Sequence, residues 1–216
     1  MDLATTYPVF GLKITAGDLV LRPITDDVLP SLIDLALRGV HEPGRMPFMV
    51  PWTDAPAADL PASFARYHWS LRANWRTDAW SLEFAVEWQG TIVGVQGLTG
   101  HDYRVTRQGE TGSWLGLEYH GHGIGTRMRQ AICAFAFDEL GAEVITSGSY
   151  VDNPASGAVS RKVGYVANGQ DRKTRRPGEW QLHNNWLLTR ETFVRGEPVV
   201  TEGVAAFRCF IGLDVE

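Results

Sequence analysis

Three glycines at alternate positions are the residues of this chain whose spacing first suggests chemistry. They lie in the run His120-Gly121-His122-Gly123-Ile124-Gly125-Thr126, which follows a strand-like segment and opens an amphipathic helix. The first amides of a helix have no internal partners and carry partial positive charge, so such a junction suits a bound diphosphate. The run therefore predicts a site for a phosphorylated ligand that is formed by backbone amides.

Spacing excludes two other glycine-rich phosphate loops. A Walker loop requires Lys and then Ser or Thr after its last glycine, and neither follows Gly125. The dinucleotide fingerprint is G-x-G-x-x-G near the start of a βαβ unit, whereas this run reads G-x-G-x-G and lies past the middle of the chain. Two histidines, His120 and His122, do not supply a full ligand set, so we expect no metal.

The elements that must position this loop alternate between strands and helices. Strands are predicted at 18–24, 82–88, 92–98, 111–117 and 143–151, and two more flank Pro177-Gly178. Helices are predicted to begin at a Thr25 cap, to span 60–75, to run from 124 until Gly141 ends the helix, and to span 153–162 with a stop at Gly164. The segment 39–61 has no periodicity and reads as a long loop. This order predicts a mixed α/β sheet.

Composition limits the class of protein. The chain has 216 residues, 44% hydrophobic and 21% charged, which predicts one domain over residues 1–216. A net charge of −5 argues against a nucleic-acid binder. No apolar stretch reaches the roughly 18 residues that span a bilayer, and no signal-peptide pattern is found, so we expect a cytoplasmic protein without a membrane partner. Cys133 and Cys209 are expected to be free and not catalytic.

Two motifs resemble the GNAT acyltransferase superfamily. Gly123 and Gly125 match its acyl-CoA loop, Q/R-x-x-G-x-G/A, although His120 stands where the family usually has Gln or Arg. The segment 152–165 is similar to its N-x-x-S…K-x-G-F/Y pattern, and the order of elements is also the GNAT order. The chain looks most like the RimJ/RimL branch. Its VPWTDAP, TGSWLGL and VDNPAS segments resemble an actinobacterial group that includes a succinyl-CoA-dependent member.

The resemblance covers residues 11–195, leaves 196–216 as a C-terminal extension, and implies both a fold and an activity. The fold would be a mixed, mostly antiparallel sheet with a splayed central strand pair and helices on both faces. The activity would be direct transfer of an acetyl or succinyl group from acetyl-CoA or succinyl-CoA to a primary amine: a protein N-terminus, a lysine or a small amine. The alternative is a non-catalytic acyl-CoA-binding sensor module.

The resemblance also assigns the donor-binding residues. The amides of Gly121, His122, Gly123, Ile124, Gly125 and Thr126 would meet the diphosphate, and the His120 ring would donate to a phosphate. Leu115 and Leu117 would present main-chain groups to pantetheine, with Asn153 as a further contact. Arg161 would add charge near the phosphates, as would Arg127, Arg129 or Lys162, although Arg127 and Arg129 lie off the predicted core face of their helix.

Acyl transfer needs a group that accepts the amine proton and a group that stabilises the departing thiolate. Glu110 opens the strand before the glycine loop, where related sequences show E-x-G-Y/S-W, and is the preferred base; Asp102 is the weaker candidate. Many family members use a tyrosine seven residues after the asparagine, but that position is Ser160 here. Ser156 matches the serine of the RimJ/RimL branch and is predicted to serve the thiolate. A competing local interpretation is that Asp152, Asn153 and Ser156 cap a helix, and the two interpretations are compatible.

The acceptor cleft is the least specified part of the site. The family places it between the loop joining the first two helices and the late hairpin, where apolar side chains would line it: Met46, Phe48, Trp52, Tyr103 and Trp114. Arg45 or Arg104 would hold an acidic acyl tail or an acceptor carboxylate. The apolar tail after Pro198 is a candidate to pair with a sheet edge, which leaves a homo-oligomer open.

Overall fold

Nine strands pair into one sheet across residues 2–214, the part of the chain that the computed structural model describes. The strands are β1 (Lys13–Ala16), β2 (Leu19–Pro23), β3 (Ala79–Trp88), β4 (Thr91–His101), β5 (Gln108–Leu115), β6 (Val144–Tyr150), β7 (Val166–Arg176), β8 (Glu179–Thr189) and β9 (Val199–Glu202). The helices are α1 (Leu3–Thr6), α2 (Leu29–Arg38), α3 (Leu60–Ala73), α4 (Tyr103–Thr106), α5 (Ile124–Asp138), α6 (Pro154–Val163) and α7 (Val204–Phe210). The spatial order of the strands is β7-β8-β6-β5-β4-β3-β2-β1-β9.

The centre of the sheet contains a gap. Neighbouring strands are antiparallel except β5 and β6, which run parallel and pair only as far as Thr111 and Ser147. Beyond that point β5 continues to Leu115 paired only with β4, and β6 continues to Tyr150 paired only with β8. The two strands therefore separate, which confirms the predicted sheet with a splayed central pair.

Helices cover both faces because side chains along a strand point alternately to the two sides. Helices α2 and α3 pack on one face, where Leu32 and Phe64 join Ala85 of β3 in a common apolar cluster. Helix α5 packs on the other face, where Phe135 contacts Phe84 with ring centroids 6.4 Å apart. We call these the α2/α3 face and the α5 face.

Three predicted boundaries were wrong. The first helix begins at Leu29 rather than after Thr25, because Pro30 favours the first turn and the Thr25 hydroxyl donates to Asp27 at 2.5 Å instead of capping. The second helix ends at Ala73 rather than at Trp75. Its buried residues are Leu60, Phe64 and His68, whereas Tyr67 is half exposed. The strand predicted over 111–117 is β5, which starts and ends earlier, so Leu117 lies in a 3₁₀ turn.

The C-terminal extension completes one edge of the sheet. Strand β9 pairs with β1 in antiparallel register, from Lys13 opposite Glu202 to Ala16 opposite Val199. Helix α7 then buries Phe207 against Trp75 and Trp80. The predicted edge pairing is thus made within the chain, and the strand needs no second copy to pair with. Among the helices of residues 2–214, none is long and apolar enough to cross a membrane.

Candidate functional site

A cavity of about 600 Å³ lies where β5 has left β6. Its walls come from five segments: the loop after α2, the end of β5, the glycine run, the first turns of α5 and the start of α6. The sheet gap thus brings the two motifs of the sequence, which are about thirty residues apart, into one site.

The glycine run presents unpaired amides to this cavity. Gly121 and Gly123 have φ values of 81° and 79°, and Gly123 is the N-cap of the 15-residue helix α5. Only glycine adopts this left-handed conformation without strain. Within residues 2–214, no backbone carbonyl accepts from the amides of residues 121–125. Four loop residues besides His120 and Gly121 line the cavity, namely Gly123, Ile124, Gly125 and Thr126, so the positive end of α5 faces it.

The two histidines of the run have different surroundings. His120 lines the cavity, and its Nε2 lies 3.2 Å from the Leu115 carbonyl, which accepts from the ring N–H. The His122 side chain is not part of the cavity wall, and its ring lies 6.0 Å from that of Trp88. Leu115 and Leu117 both line the cavity. The described part of the chain contains no cluster of three metal-ligating side chains.

The start of α6 closes the cavity on the far side of the gap. Asn153 is the N-cap of this helix, and its Oδ1 accepts from the Ser156 amide at 3.2 Å. The local capping prediction is therefore confirmed for the Asn153 side chain, whereas Ser156 takes part through its amide, and both residues also line the cavity. Arg161 lies elsewhere, with its guanidinium 5.8 Å from the centroid of the Trp186 ring. Lys162, one residue on, lines the cavity instead.

Arg129, predicted to lie off the core face of its helix, is instead buried. It is 4% exposed, lines the cavity, and donates to Ser113 of β5 and Ser147 of β6 at 2.9 Å each. Its Nε–H has no partner among residues 2–214, and no carboxylate there pairs with it. Arg129 is thus a buried cation at the narrow end of the gap. Arg127 is not free for a ligand, because Asp18 and Glu197 bind it.

Neither cysteine is a nucleophile of this site. Both are free, Cys133 in the core and Cys209 on the surface. Burial raises the pKa of the Cys133 thiol to about 11, so it stays protonated and unreactive at neutral pH. The expectation of free thiols agrees with this placement.

The aromatic residues predicted for the acceptor cleft separate into two groups. Met46, Phe48 and Trp114 line the cavity, and Trp52 packs behind them with its ring 5.3 Å from Phe48 and 5.6 Å from Trp114. Tyr103 does not belong to the cleft. It is 1% exposed in the hydrophobic core, where its hydroxyl donates to the Leu140 carbonyl at 3.4 Å.

Two arginines of the β7–β8 hairpin hold the walls of the cleft together. Arg176 donates to both carboxylate oxygens of Asp54 in the long loop, at 2.6 and 3.1 Å. Arg175 binds both oxygens of Asp152, at 2.9 and 2.6 Å. These partners hold the pKa of Asp54 and of Asp152 below its ordinary value. The long loop and the hairpin therefore meet, as the resemblance implies.

Glu110 lies outside the cavity wall on the α2/α3 face of β5. It is exposed, opposite Thr99 on one side and Thr146 on the other. It shares its face with Gly112 and with Trp114, which lines the cavity. Asp102 is farther away, since it precedes α4 beyond the end of β4. The structure thus brings Glu110 and the aromatic cleft to one side of the gap.

Residues 18–166 match the family model described as "Acetyltransferase (GNAT) domain". The "Putative ribosomal N-acetyltransferase YdaF" of Bacillus subtilis (strain 168) is 29% identical over 118 residues, which cover 53% of this chain and 64% of that protein. Mycobacterium smegmatis RimJ in complex with CoA-disulfide superposes with a TM-score of 0.66 at 21% identity, over 84% of this chain and 86% of RimJ. RimL, a ribosomal L7/L12 α-N-protein acetyltransferase in complex with CoA, gives 0.62 at 17% identity, over 81% and 95%.

Proposed function

Because the chain belongs to the GNAT acetyltransferase family, we propose that it moves an acyl group directly from acyl-CoA to a primary amine. The observation that carries this proposal is the gap between β5 and β6, which opens beside the unpaired amides of residues 121–125. The transfer is proposed to take place with both substrates bound, the donor in the cavity and the amine on the α2/α3 face.

The residues of the cavity fit an acyl-CoA. The unpaired amides at the positive end of α5 suit a diphosphate. Residues 112–115 of β5 pair with β4 on one side only, so their other edge can hydrogen-bond the amides of a pantetheine arm. Lys162 and the buried Arg129 add positive charge to the wall. The bound thioester supplies an electrophilic carbonyl carbon.

Two side chains are proposed to assist the reaction, one at the attacking amine and one at the departing sulfur. The amine nitrogen bonds to the acyl carbon while the carbon–sulfur bond breaks. We propose that Glu110 accepts the amine proton, directly or through water, because it lies on the open face that an acceptor reaches. Ser156 lines the cavity, and its hydroxyl is proposed to donate a hydrogen bond to the departing sulfur, which leaves as the thiolate and takes its proton from water.

The proposal extends to the identity of the acyl group and of the acceptor amine. We propose acetyl or succinyl as the acyl group; Arg45 lines the cavity and could pair with a succinyl carboxylate, whereas Arg104 lies on α4 beside Gly212. We propose a protein amine as acceptor. The support is that YdaF and RimL are named for ribosomal N-acetylation, and that the carboxylate of Glu110 suits an ammonium group.

The direct test is thiol release from acetyl-CoA with a panel of amines. The panel contains a peptide with a free N-terminus, an N-acetylated peptide with one lysine, and spermidine. We expect amine-dependent thiol release and a product carrying one added acetyl group. Acetyl-CoA binding without thiol release for any amine would contradict the proposal and indicate a sensor. Equal rates with acetyl-CoA and succinyl-CoA would contradict an anionic acyl pocket.

A further inference from the structure

A buried guanidinium spans the narrow end of the gap on its α5 side. Arg129 of α5 donates to the Ser147 hydroxyl of β6 and to the Ser113 hydroxyl of β5, at 2.9 Å each. Ser147 is opposite Thr111 in the last pair that β5 and β6 form, and Ser113 lies two residues beyond Thr111. The side chain of Arg129 therefore joins the two strands at the point where they separate.

This bridge leaves part of the guanidinium unused. Ser147 donates its hydroxyl hydrogen to the Thr111 carbonyl at 3.0 Å, so its oxygen can accept from Arg129. A guanidinium has five N–H donors, and the bridge uses one on each Nη atom of Arg129. Its Nε–H has no partner in the described part of the chain. Because Arg129 also lines the donor cavity, its remaining donors are placed beside a bound ligand.

The charge of Arg129 is not compensated from within residues 2–214, where no carboxylate binds it. The titratable side chains that face it from its own helix and from the residue before β7 are Cys133 and Tyr165. Burial raises the pKa of the Cys133 thiol to about 11 and the pKa of the Tyr165 hydroxyl well above its ordinary value. Both neighbours are therefore neutral at neutral pH, and the cation has no counter-ion.

The carboxylates of the cavity wall lie on other segments. Glu42 belongs to the long loop after α2, and Asp152, just before α6, is bound by Arg175. The other titratable side chains of the wall are His41, Arg45, Tyr119, His120 and Lys162. Among residues 2–214, the hydrogen bonds of Arg129 go only to the two serines. An anion that meets Arg129 must therefore come from a ligand.

The position of Arg129 along its helix indicates which part of an acyl-CoA it meets. The diphosphate is proposed to bind the unpaired amides where α5 begins, so its charge is compensated there. Arg129 is five residues beyond Ile124, which is about 7.5 Å farther along the helix axis. The other part of an acyl-CoA that becomes negative during transfer is the thioester. A preorganised cation stabilises such a charge strongly in a site that excludes water.

We propose that Arg129 stabilises the CoA thiolate as it departs, across the cavity from Ser156. This rests on the proposed acyl transfer. As the amine nitrogen bonds to the acyl carbon, the carbon–sulfur bond breaks and its electron pair passes to sulfur. Arg129 keeps its charge and gives up no proton. The amine proton goes to Glu110, and the thiolate takes its proton from water.

The affinities of CoA and acetyl-CoA, measured by calorimetry from about pH 6 to about pH 9, test this assignment without turnover. Only CoA has a thiol that ionises, so the ratio of the two affinities removes the pH effects that both ligands share. A cation within about 4–6 Å favours the thiolate and lowers the pKa of the thiol by about 1–3. In the wild-type protein we therefore expect the preference for CoA to rise about three-fold or more with pH.

In Arg129→Gln we expect no such rise. A wild-type ratio that does not change with pH, or an equal rise in Arg129→Gln, would overturn the proposal. Ser113→Ala breaks the bridge across the gap but keeps the cation, so its ratio should still rise with pH. A loss in Ser113→Ala as complete as in Arg129→Gln would assign the effect to the shape of the gap and also overturn the proposal.

The matched control removes a guanidinium from the other end of α5. Arg195 binds both carboxylate oxygens of Asp138 at 2.7 Å. We expect Arg195→Gln to show the wild-type dependence of the affinity ratio on pH. Loss of that dependence in the control would contradict the assignment to Arg129.

Turnover gives an independent measurement. In Arg129→Gln we expect kcat for acetyl transfer to a peptide amine to fall about 100-fold, since removing one preorganised donor costs about 10²–10³ in kcat. Acetyl-CoA affinity should stay within about three-fold, because the charge develops only during transfer. An unchanged kcat, or an equal loss of affinity, would overturn the proposal. If the wild-type protein turns over no amine, the acyl-transfer proposal fails on that result alone, and the affinity ratios still report whether Arg129 favours the thiolate.

Discussion

The two sides of the sheet gap present different chemical groups, backbone on the donor side and side chains on the acceptor side. The donor side consists largely of backbone: unpaired amides at the start of α5 and the free edge of β5. The acceptor side consists of side chains from distant segments, among them the exposed carboxylate of Glu110 on β5 and Phe48 of the long loop. The donor side is positive through the helix end and Arg129. This contrast separates an anionic donor from a cationic acceptor before they meet at the gap.

The largest expected effect follows from removing charge on the acceptor side. In Glu110→Gln we expect kcat with an amine acceptor to fall about 100- to 1,000-fold, because a positioned base contributes that much. Acetyl-CoA affinity, measured by calorimetry, should stay within about two-fold, since Glu110 does not line the donor cavity. A parallel loss of acetyl-CoA affinity would show that the two sides are not separate.

A backbone change should affect the donor side instead. Gly123→Val places a β-branched residue at a φ of 79°, which strains the loop that carries the amides. We expect acetyl-CoA affinity to fall about 10- to 100-fold, in line with 1–3 kcal/mol of strain. The matched control is Gly169→Val on β7, where φ is 87° and a Cβ meets nothing within 4 Å. An equal loss of affinity in the control would assign the effect to general destabilisation.

The next prediction concerns Ser156, which is proposed to act where the donor and acceptor sides meet. In Ser156→Ala we expect turnover to fall about ten-fold with acetyl-CoA affinity unchanged, as for loss of one hydrogen bond to a developing charge. Ser160→Ala on the same helix is the control, because the Ser160 hydroxyl is buried without a partner among residues 2–214. Unchanged turnover in Ser156→Ala would remove Ser156 from the mechanism.

The smallest expected effect concerns the ion pair that joins the cleft walls. Asp54→Asn should raise KM for the amine about two-fold, because exposed ion pairs contribute little. Raising the salt concentration should abolish the difference from wild type. Arg176 lowers the pKa of Asp54, so the pair stabilises the folded state above the ordinary value of 3.8 and is lost as pH falls through the lowered pKa. A salt-independent change in KM would contradict this account.

The donor side was the part that the sequence could predict. A left-handed backbone requires glycine, and a helix start requires a cap, so Gly123 and Asn153 leave a local signature. Element order likewise predicted the central sheet. The boundary of β5 was missed because Gly109 and Gly112 interrupt the apolar alternation that marks a strand.

The residues of the acceptor side could not be predicted from local sequence patterns. Tyr103 looked like a cleft residue because its type is common there, but only tertiary packing decides that it lies in the core. Arg129 looked like a surface charge on a helix, and only the separation of β5 from β6 gives it a place inside.

The account is tested most directly by the electron density of acetyl-CoA bound to this protein. It predicts the diphosphate at the amides of residues 121–125, the pantetheine arm in the gap between β5 and β6, and the acetyl group beside Gly112 on the α2/α3 face. Glu110 would then lie on the same face of the sheet as the thioester carbon. Density with the acetyl group on the α5 face, or with the donor bound away from the glycine run, would contradict the account.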